Sequence, residues 1–171
     1  MLRRRGAASP QAAENRYQMK EKLVAIGQDS TIENVQGQRA FYVDGKSLRA
    51  RDTLILKDAH GEEVCSIQEK VLHVKDTMAI HCRNGMEATV KKAMVAPLRE
   101  RYTIDIQGAG DLAVQGNITD HEYTIERGGQ KMAEISKRWF RVRDTYGVEV
   151  EPGADDALIL ASAAAIDIMS H

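Results

Sequence analysis

The chain of 171 residues has few of the features that define several large protein classes. It contains two cysteines, Cys65 and Cys82, so a scaffold held together by several disulfides is excluded, while one bridge stays open. No run of about 20 apolar residues is present that would cross a bilayer as a helix. Three prolines and the lack of a low-complexity tract leave little room for a linker. These absences indicate one soluble globular domain.

The charge is balanced, with 24 basic residues against 25 acidic ones. Nucleic acid is therefore not an expected partner, and binding to any anionic surface would require a local basic patch. Arg3, Arg4 and Arg5 lie near the start, but no apolar run follows them, so no secretory signal is indicated. We expect a disordered tail over residues 1–15 and a single domain over residues 16–171. A cytoplasmic protein is expected, with peripheral membrane association left open.

Short runs with a period of two residues fill the chain from Phe41 to Val150, which is typical of half-buried strands. Tyr102, Ile104 and Ile106, for example, alternate with polar neighbours. Polar turns divide the runs, and Asn84-Gly85 is the strongest of them because a type I′ hairpin turn needs positive φ at both central positions. The pattern predicts about ten to twelve antiparallel strands in a sandwich or barrel.

The segment from Ala157 to Met169 breaks this alternation and is rich in strong helix formers. Asp155 or Asp156 can cap its first turn, and only Ser162 and Asp167 interrupt the apolar surface. A helix that is apolar nearly all round must be enclosed in lipid or in protein. Thirteen residues rise only about 20 Å, which is too short for a bilayer. The sequence therefore predicts a sheet wrapped around this helix.

Several segments, taken in order, resemble the LURP-one-related proteins, members of the Tubby C-terminal-like group that includes the phospholipid scramblases. The segments that carry the resemblance are Phe41–Lys46, Gly61–Lys70, Leu112–Asn117, Ser136–Phe140 and Asp155–Leu160. The resemblance covers roughly Arg16 to Met169. It implies a closed barrel of twelve strands threaded by the hydrophobic C-terminal helix. It implies less about activity, because this fold carries lipid binders, regulators and lipid movers.

A basic segment with one tryptophan is the main candidate for binding. If it is a strand, Lys137, Trp139, Arg141 and Arg143 share one face. Arginine presents a planar donor fork to phosphate oxygens, and tryptophan favours boundaries between water and apolar groups, so this face could hold a lipid headgroup. Lys91 and Lys92 form a second basic pair. The structural alternative is a solvated barrel face on which Trp139 packs against the core and the arginines pair with Glu134, Asp144 or Glu149.

Metal and catalytic motifs are weak. His73, His81, Cys65 and Cys82 lack the spacing of a metal site, and alternation places both cysteines inward and His81 outward. Asp120-His121 and Ser136 lack a nucleophile elbow, and no phosphate-binding glycine loop occurs. No catalytic residue, metal or cofactor is predicted, and an enzyme is not expected.

The sequence therefore favours a binding or regulatory module that recognises phospholipid headgroups or an anionic membrane surface. A protein-interaction scaffold that binds through an apolar patch or a sheet edge is one alternative. A scramblase-like protein whose terminal helix enters the membrane is another. The ligand and the oligomeric state stay open.

Overall fold

The computed structural model of the protein describes residues 15–21, 30–44, 54–69, 77–95, 99–140 and 142–170. Twelve strands and one helix lie in these ranges. The strands are β1 (Arg16–Lys20), β2 (Ser30–Asn34), β3 (Arg39–Asp44), β4 (Leu54–Asp58), β5 (Glu63–Glu69), β6 (Thr77–Cys82), β7 (Glu87–Val95), β8 (Arg99–Ile106), β9 (Gly110–Asn117), β10 (Glu122–Arg127), β11 (Gln130–Ser136) and β12 (Thr145–Val150). The helix, α1, spans Asp156–Met169.

The strands form a closed antiparallel barrel in which each strand pairs with its neighbours in the chain, and β12 closes the barrel against β1. Closure satisfies the backbone groups that an open sheet would expose at its two edges. Every described strand therefore has two hydrogen-bonded neighbours. The predicted barrel is confirmed, with β1 and β2 preceding the region in which alternation is clear.

Alternation in the sequence becomes alternation between the barrel interior and solvent. In β8, Tyr102, Ile104 and Ile106 are buried, and in β10 Tyr123 and Ile125 are buried. The two faces of a strand differ because successive side chains point in opposite directions. The interior face of the sheet thus forms a hydrophobic wall around the space that α1 occupies.

Helix α1 lies inside this wall, as predicted. All of its side chains from Ala157 to Asp167 are buried, and the helix contacts β5, β6, β7 and β12. Asp155 is the N-cap, and its carboxylate accepts a hydrogen bond from the backbone N–H of Leu158 at 3.0 Å. The buried hydroxyl of Ser162 donates to the carbonyl of Leu158 at 2.7 Å, so this polar interruption is satisfied within the helix.

The direction of the helix defines two barrel ends. The entry end holds the start of α1 and the turns after β2, β4, β6, β8 and β10, whereas the exit end holds the last turn of α1 and the connections after β9 and β11. At the entry end, Asn84 donates a side-chain hydrogen bond to Asp155 at 2.9 Å. At the exit end, Lys92 Nζ donates to the carbonyl of Met169 at 3.1 Å, which places a cation at the negative end of the helix.

The turn at Asn84-Gly85 joins β6 and β7 as predicted, but it is not type I′. Gly85 has a φ of 85°, while Asn84 is not among the residues with positive φ. The N–H of Gly85 donates to the carbonyl of Cys82, and the N–H of Cys82 donates to the carbonyl of Met86. This is the longer hairpin loop in which a type I turn is followed by a left-handed glycine.

Candidate functional site

The predicted basic strand is instead the connection between β11 and β12 at the exit end. β11 ends at Ser136 and β12 begins at Thr145, and the described residues between them are not in a strand. The hydroxyl of Thr145 donates to the carbonyl of Val142 at 2.6 Å, and Asp144 takes a left-handed φ of 59°. These features close a turn, so the prediction that Lys137, Trp139, Arg141 and Arg143 share one strand face is wrong. Arg141 lies outside the described residues.

Trp139 and Phe140 anchor this connection on the outer face of β12. A Cβ atom at Gly147 would lie 2.6 Å from Cε3 of Trp139 and 3.0 Å from Cε2 of Phe140, so the absence of a side chain there makes room for both rings. The guanidinium of Arg16 lies 4.5 Å from the centroid of the Trp139 ring, a cation–π contact. Trp139 therefore packs outside the barrel and not on its core.

Several basic residues near these rings already have acidic partners. The Nε of Arg16 donates to Glu149 at 3.0 Å, and Lys137 Nζ lies 2.5 Å from Glu21 Oε1. Arg138 lies 3.4 Å from Glu134. Pairing of an arginine with Glu134 agrees with the structural alternative given above. Pairing of this kind lowers the number of cations that are available to a phosphate.

The tip of the connection is different, because two neighbouring side chains there face solvent. Val142 is 57% exposed, a large value for a branched apolar residue. The side chain of Arg143 is 95% exposed, and its nearest acidic group, on Asp144, lies 3.9 Å away with a side-chain exposure of 68%. An ion pair this exposed contributes little. The tip segment, Val142-Arg143, thus presents an apolar group beside an accessible cation.

Lys91 and Lys92 do not join this site. They lie on β7, which is separated from β12 by β8, β9, β10 and β11. Lys91 faces outward and lies 3.5 Å from Asp105. Lys92 faces the opposite way and caps the end of α1 through Met169. The two lysines have structural contacts on another part of the barrel wall, so the second basic pair does not extend the candidate surface.

A buried polar cluster lies directly beneath the connection. His121 is 3% exposed, and its Nε2 lies 2.7 Å from Oδ1 of Asp167 on α1. Its ring stacks on Tyr146 with centroids 4.4 Å apart, and its Nδ1 lies 3.6 Å from Glu21 Oε1. In the sequence, Asp167 is the one charged residue of the apolar run from Ala157 to Met169. The sequence did not predict the contact of Asp167 with His121, which lies 46 residues away, because that contact depends on barrel closure.

Buried tyrosine hydroxyls border this cluster. Burial raises the pKa of Tyr146 well above its ordinary value, and the negative charge of Asp167 raises it further. Burial and the charge of Asp167 likewise raise the pKa of Tyr123. Both hydroxyls therefore keep their protons in the folded protein at any physiological pH.

A second tyrosine contact fixes the entry end. The hydroxyl of Tyr17 donates to the carboxylate of Asp156 in the first turn of α1. Burial and this hydrogen bond raise the pKa of Tyr17. Burial also raises the pKa of Asp156, and the hydrogen bond from Tyr17 partly offsets that shift. The pair ties β1 to the helix and belongs to the scaffold.

The two cysteines form a disulfide, Cys65–Cys82, between directly opposed positions of β5 and β6. The predicted inward orientation holds for Cys65, which is 1% exposed, while Cys82 is half-buried. His81 is exposed as predicted, and His73 lies outside the described residues. Within the described ranges, no three His, Cys, Asp or Glu side chains are arranged to hold a metal ion.

Within the described part of the chain, α1 is the one helix, and it is not long and apolar enough to cross a bilayer.

Comparisons with known proteins agree with this fold. The family model described as LURP-one-related matches residues 15–167. The uncharacterized protein YxjI of Bacillus subtilis (strain 168) is 22% identical over 155 residues, which cover 90% of this chain and 92% of that protein. The X-ray structure of a protein from Arabidopsis thaliana aligns with a TM-score of 0.62 at 17% identity and covers 91% of each chain. At this identity the structural match shows the fold alone.

Proposed function

Since the chain belongs to the LURP-one-related family, we propose that it is a non-enzymatic binding module that recognises anionic phospholipid surfaces through the connection between β11 and β12. The observation that carries this proposal is the tip segment, where Val142 is 57% exposed beside the 95% exposed side chain of Arg143. The protein would associate with a membrane from the cytoplasm, at its periphery.

The chemistry of the tip segment suits a lipid surface. The guanidinium of Arg143 can donate two parallel hydrogen bonds to the oxygens of a phosphate. Val142 can enter the boundary between headgroups and acyl chains, where apolar contact adds to electrostatic attraction. Trp139 lies at the base of the same connection and holds it on β12 through Gly147. An anchored base with an exposed apolar and cationic tip supports binding without a large rearrangement.

Surface association is favoured over insertion because the apolar helix is already enclosed. The side chains from Ala157 to Asp167 are buried within the barrel. A scramblase-like mode in which α1 enters the membrane would have to open the barrel and expose this interior. The energetic cost of losing a whole hydrophobic core argues against that mode.

The scaffold alternative has less support from the geometry. Each described strand is paired on both sides, so these strands offer no free edge to a partner strand. A protein partner would instead have to bind side chains such as the tip segment itself. Lipid and protein partners are then distinguished by whether pure lipid vesicles are sufficient for binding.

Co-sedimentation with phosphatidylcholine vesicles, with and without phosphatidylglycerol, tests the proposal. We expect binding only to the anionic vesicles, and weaker binding as salt is added. Arg143→Glu should weaken binding by about fivefold to thirtyfold, since each charge at an anionic surface contributes about 1 kcal/mol. Val142→Asp should weaken it as well.

Arg127→Glu is the matched control, because Arg127 is exposed at the entry end of the barrel and the substitution changes the net charge equally. It should leave binding nearly unchanged. Equal losses for Arg143→Glu and Arg127→Glu would show an unspecific charge effect. No binding to any vesicle would refute the proposal and leave a protein partner as the better explanation.

A further inference from the structure

Barrel closure places a second exposed cation beside the tip segment. Lys20 is the last residue of β1, and its Cα lies directly opposite that of Thr145, the first residue of β12. Lys20 is exposed while its neighbour Met19 is fully buried, so the lysine faces outward from the barrel. Thr145 faces the same way, because the residue after it, Tyr146, is buried inside. Directly opposed residues of an antiparallel pair are neighbours on one face of the sheet.

The tip segment is folded back onto Thr145. The hydroxyl of Thr145 donates to the carbonyl of Val142 at 2.6 Å, which keeps the tip segment close to the start of β12. Two Cα steps of about 3.8 Å separate Arg143 from Thr145, and directly opposed Cα atoms lie about 4.5–5.5 Å apart. The Cα atoms of Lys20 and Arg143 are therefore at most about 13 Å apart. Two long, flexible basic side chains can bring their charged ends to one point across that distance.

Neither of these two cations is held by a buried carboxylate. In the part of the chain that the structure describes, no acidic side chain pairs with Lys20. Glu21, the next residue, is engaged instead with Lys137, and its backbone N–H donates to the carbonyl of Asp144 at 2.8 Å. Arg143 has the exposed carboxylate of Asp144 at 3.9 Å, a contact that contributes little. Both cations are accordingly available to an anion from solvent or from a lipid surface.

The donors of this pair suit a phosphomonoester better than a phosphodiester. A guanidinium offers two parallel N–H groups to two phosphate oxygens, and an ammonium group adds a further donor as a compact charge. A phosphomonoester has three terminal oxygens and, as in phosphoserine, a charge of about −1.5 to −2 near neutral pH. A phosphodiester has two such oxygens and a single negative charge. Two cations that meet at one phosphate therefore gain more from a monoester.

We infer that Lys20 is a second phosphate-binding residue of this surface, and that Lys20 and Arg143 together bind one phosphomonoester group. This inference rests on the proposed function, because it assigns a ligand class to the same end of the barrel. The two residues are called the two-cation site below. A lipid that fits the site carries a terminal phosphate, and phosphatidic acid is the simplest probe of that class.

Co-sedimentation with two kinds of phosphatidylcholine vesicle tests the ligand class. One kind carries phosphatidic acid and the other carries phosphatidylglycerol, a phosphodiester, with the two contents adjusted to the same zeta potential. The wild-type protein should bind the phosphatidic acid vesicles about fivefold more tightly, which is the contribution of one cation near an anionic surface. Lys20→Gln should lose this preference and bind the two kinds of vesicle equally.

Arg127→Gln is the matched control, because it removes one positive charge from an exposed side chain at the entry end. It should keep the preference for phosphatidic acid, and so should Lys20→Arg, which preserves the charge. Because the two cations share one phosphate, their substitutions should not be additive. The double variant Lys20→Gln/Arg143→Gln should lose no more of the preference than either single variant loses.

Calorimetric titration with glycerol 3-phosphate, a water-soluble phosphomonoester, distinguishes a free phosphate from a lipid headgroup as the ligand. Binding of this compound that is lost in Lys20→Gln, without binding to any vesicle, would refute the proposed function and uphold the two-cation site. Equal binding of the wild type to both kinds of vesicle would uphold the proposed function and refute the inference, as would a Lys20→Gln variant that keeps the wild-type preference. Absence of binding in both assays would refute both.

Discussion

Substituting Gly147 with alanine tests whether the aromatic anchor of the candidate site is built as described. The added methyl group would lie 2.6 Å from Cε3 of Trp139 and 3.0 Å from Cε2 of Phe140. Carbon atoms pack at about 3.5–4.0 Å, so at least one ring must move by about 1 Å. Overpacking of this kind costs about 1–3 kcal/mol of folding stability.

Denaturant unfolding followed by circular dichroism measures this cost, and the emission of Trp139 reports the displaced ring. The emission maximum should shift to longer wavelength as the ring gains exposure to water. Val142→Ala is the control, because it changes an exposed side chain of the same connection and should leave both quantities nearly unchanged. An alanine at Gly147 with wild-type stability and wild-type emission would refute the contact between these rings and β12.

Three further predictions concern the scaffold. Leu160→Ala removes a fully buried side chain at the centre of α1 and should lower the free energy of unfolding by about 2–5 kcal/mol in denaturant titrations; a loss below about 0.5 kcal/mol would contradict an enclosed helix. Reduction of Cys65–Cys82, which closes a separation of 17 residues, should cost about 2–4 kcal/mol, and thiol labelling before reduction should find no free cysteine. Alkaline titration tests the tyrosines with raised pKa values, Tyr17, Tyr123 and Tyr146. Their pKa values in the folded protein exceed the unfolded value of 10.0, so their contribution to stability is complete below that pH and is lost above it. The absorbance of phenolate should therefore appear together with unfolding. Full ionisation of these tyrosines in a protein that is still folded would contradict their burial.

The barrel and its helix could be predicted because both depend on local patterns. Alternation assigns Tyr102, Ile104 and Ile106 to one face whatever their partner strands are, and it cannot persist over many strands without a common interior. The run from Ala157 to Asp167 could be assigned to that interior because it is too apolar for solvent and too short for a bilayer.

The candidate site was harder to predict because it depends on contacts between distant residues. Read as a strand, the segment from Lys137 to Arg143 places three basic residues and Trp139 on one face. In the folded chain it is a connection, in which Trp139 fits onto Gly147 and Asp144 has a left-handed φ. The partner of Lys137, which is Glu21, comes from the other end of the chain. Sequence therefore singled out this segment but predicted neither its conformation nor the pairing of Lys137 with Glu21.

Labelling with an environment-sensitive fluorophore tests the central claim most directly, since it asks which end of the barrel meets a lipid surface. Val142→Cys places the dye on the tip segment at the exit end, and Val35→Cys places it on an exposed turn at the entry end. The two native cysteines are joined to each other, so each variant carries one reactive thiol. On adding phosphatidylglycerol vesicles, the dye at position 142 should shift to shorter wavelength while the dye at position 35 does not. Equal shifts at both positions, or a shift at position 35 alone, would contradict the account.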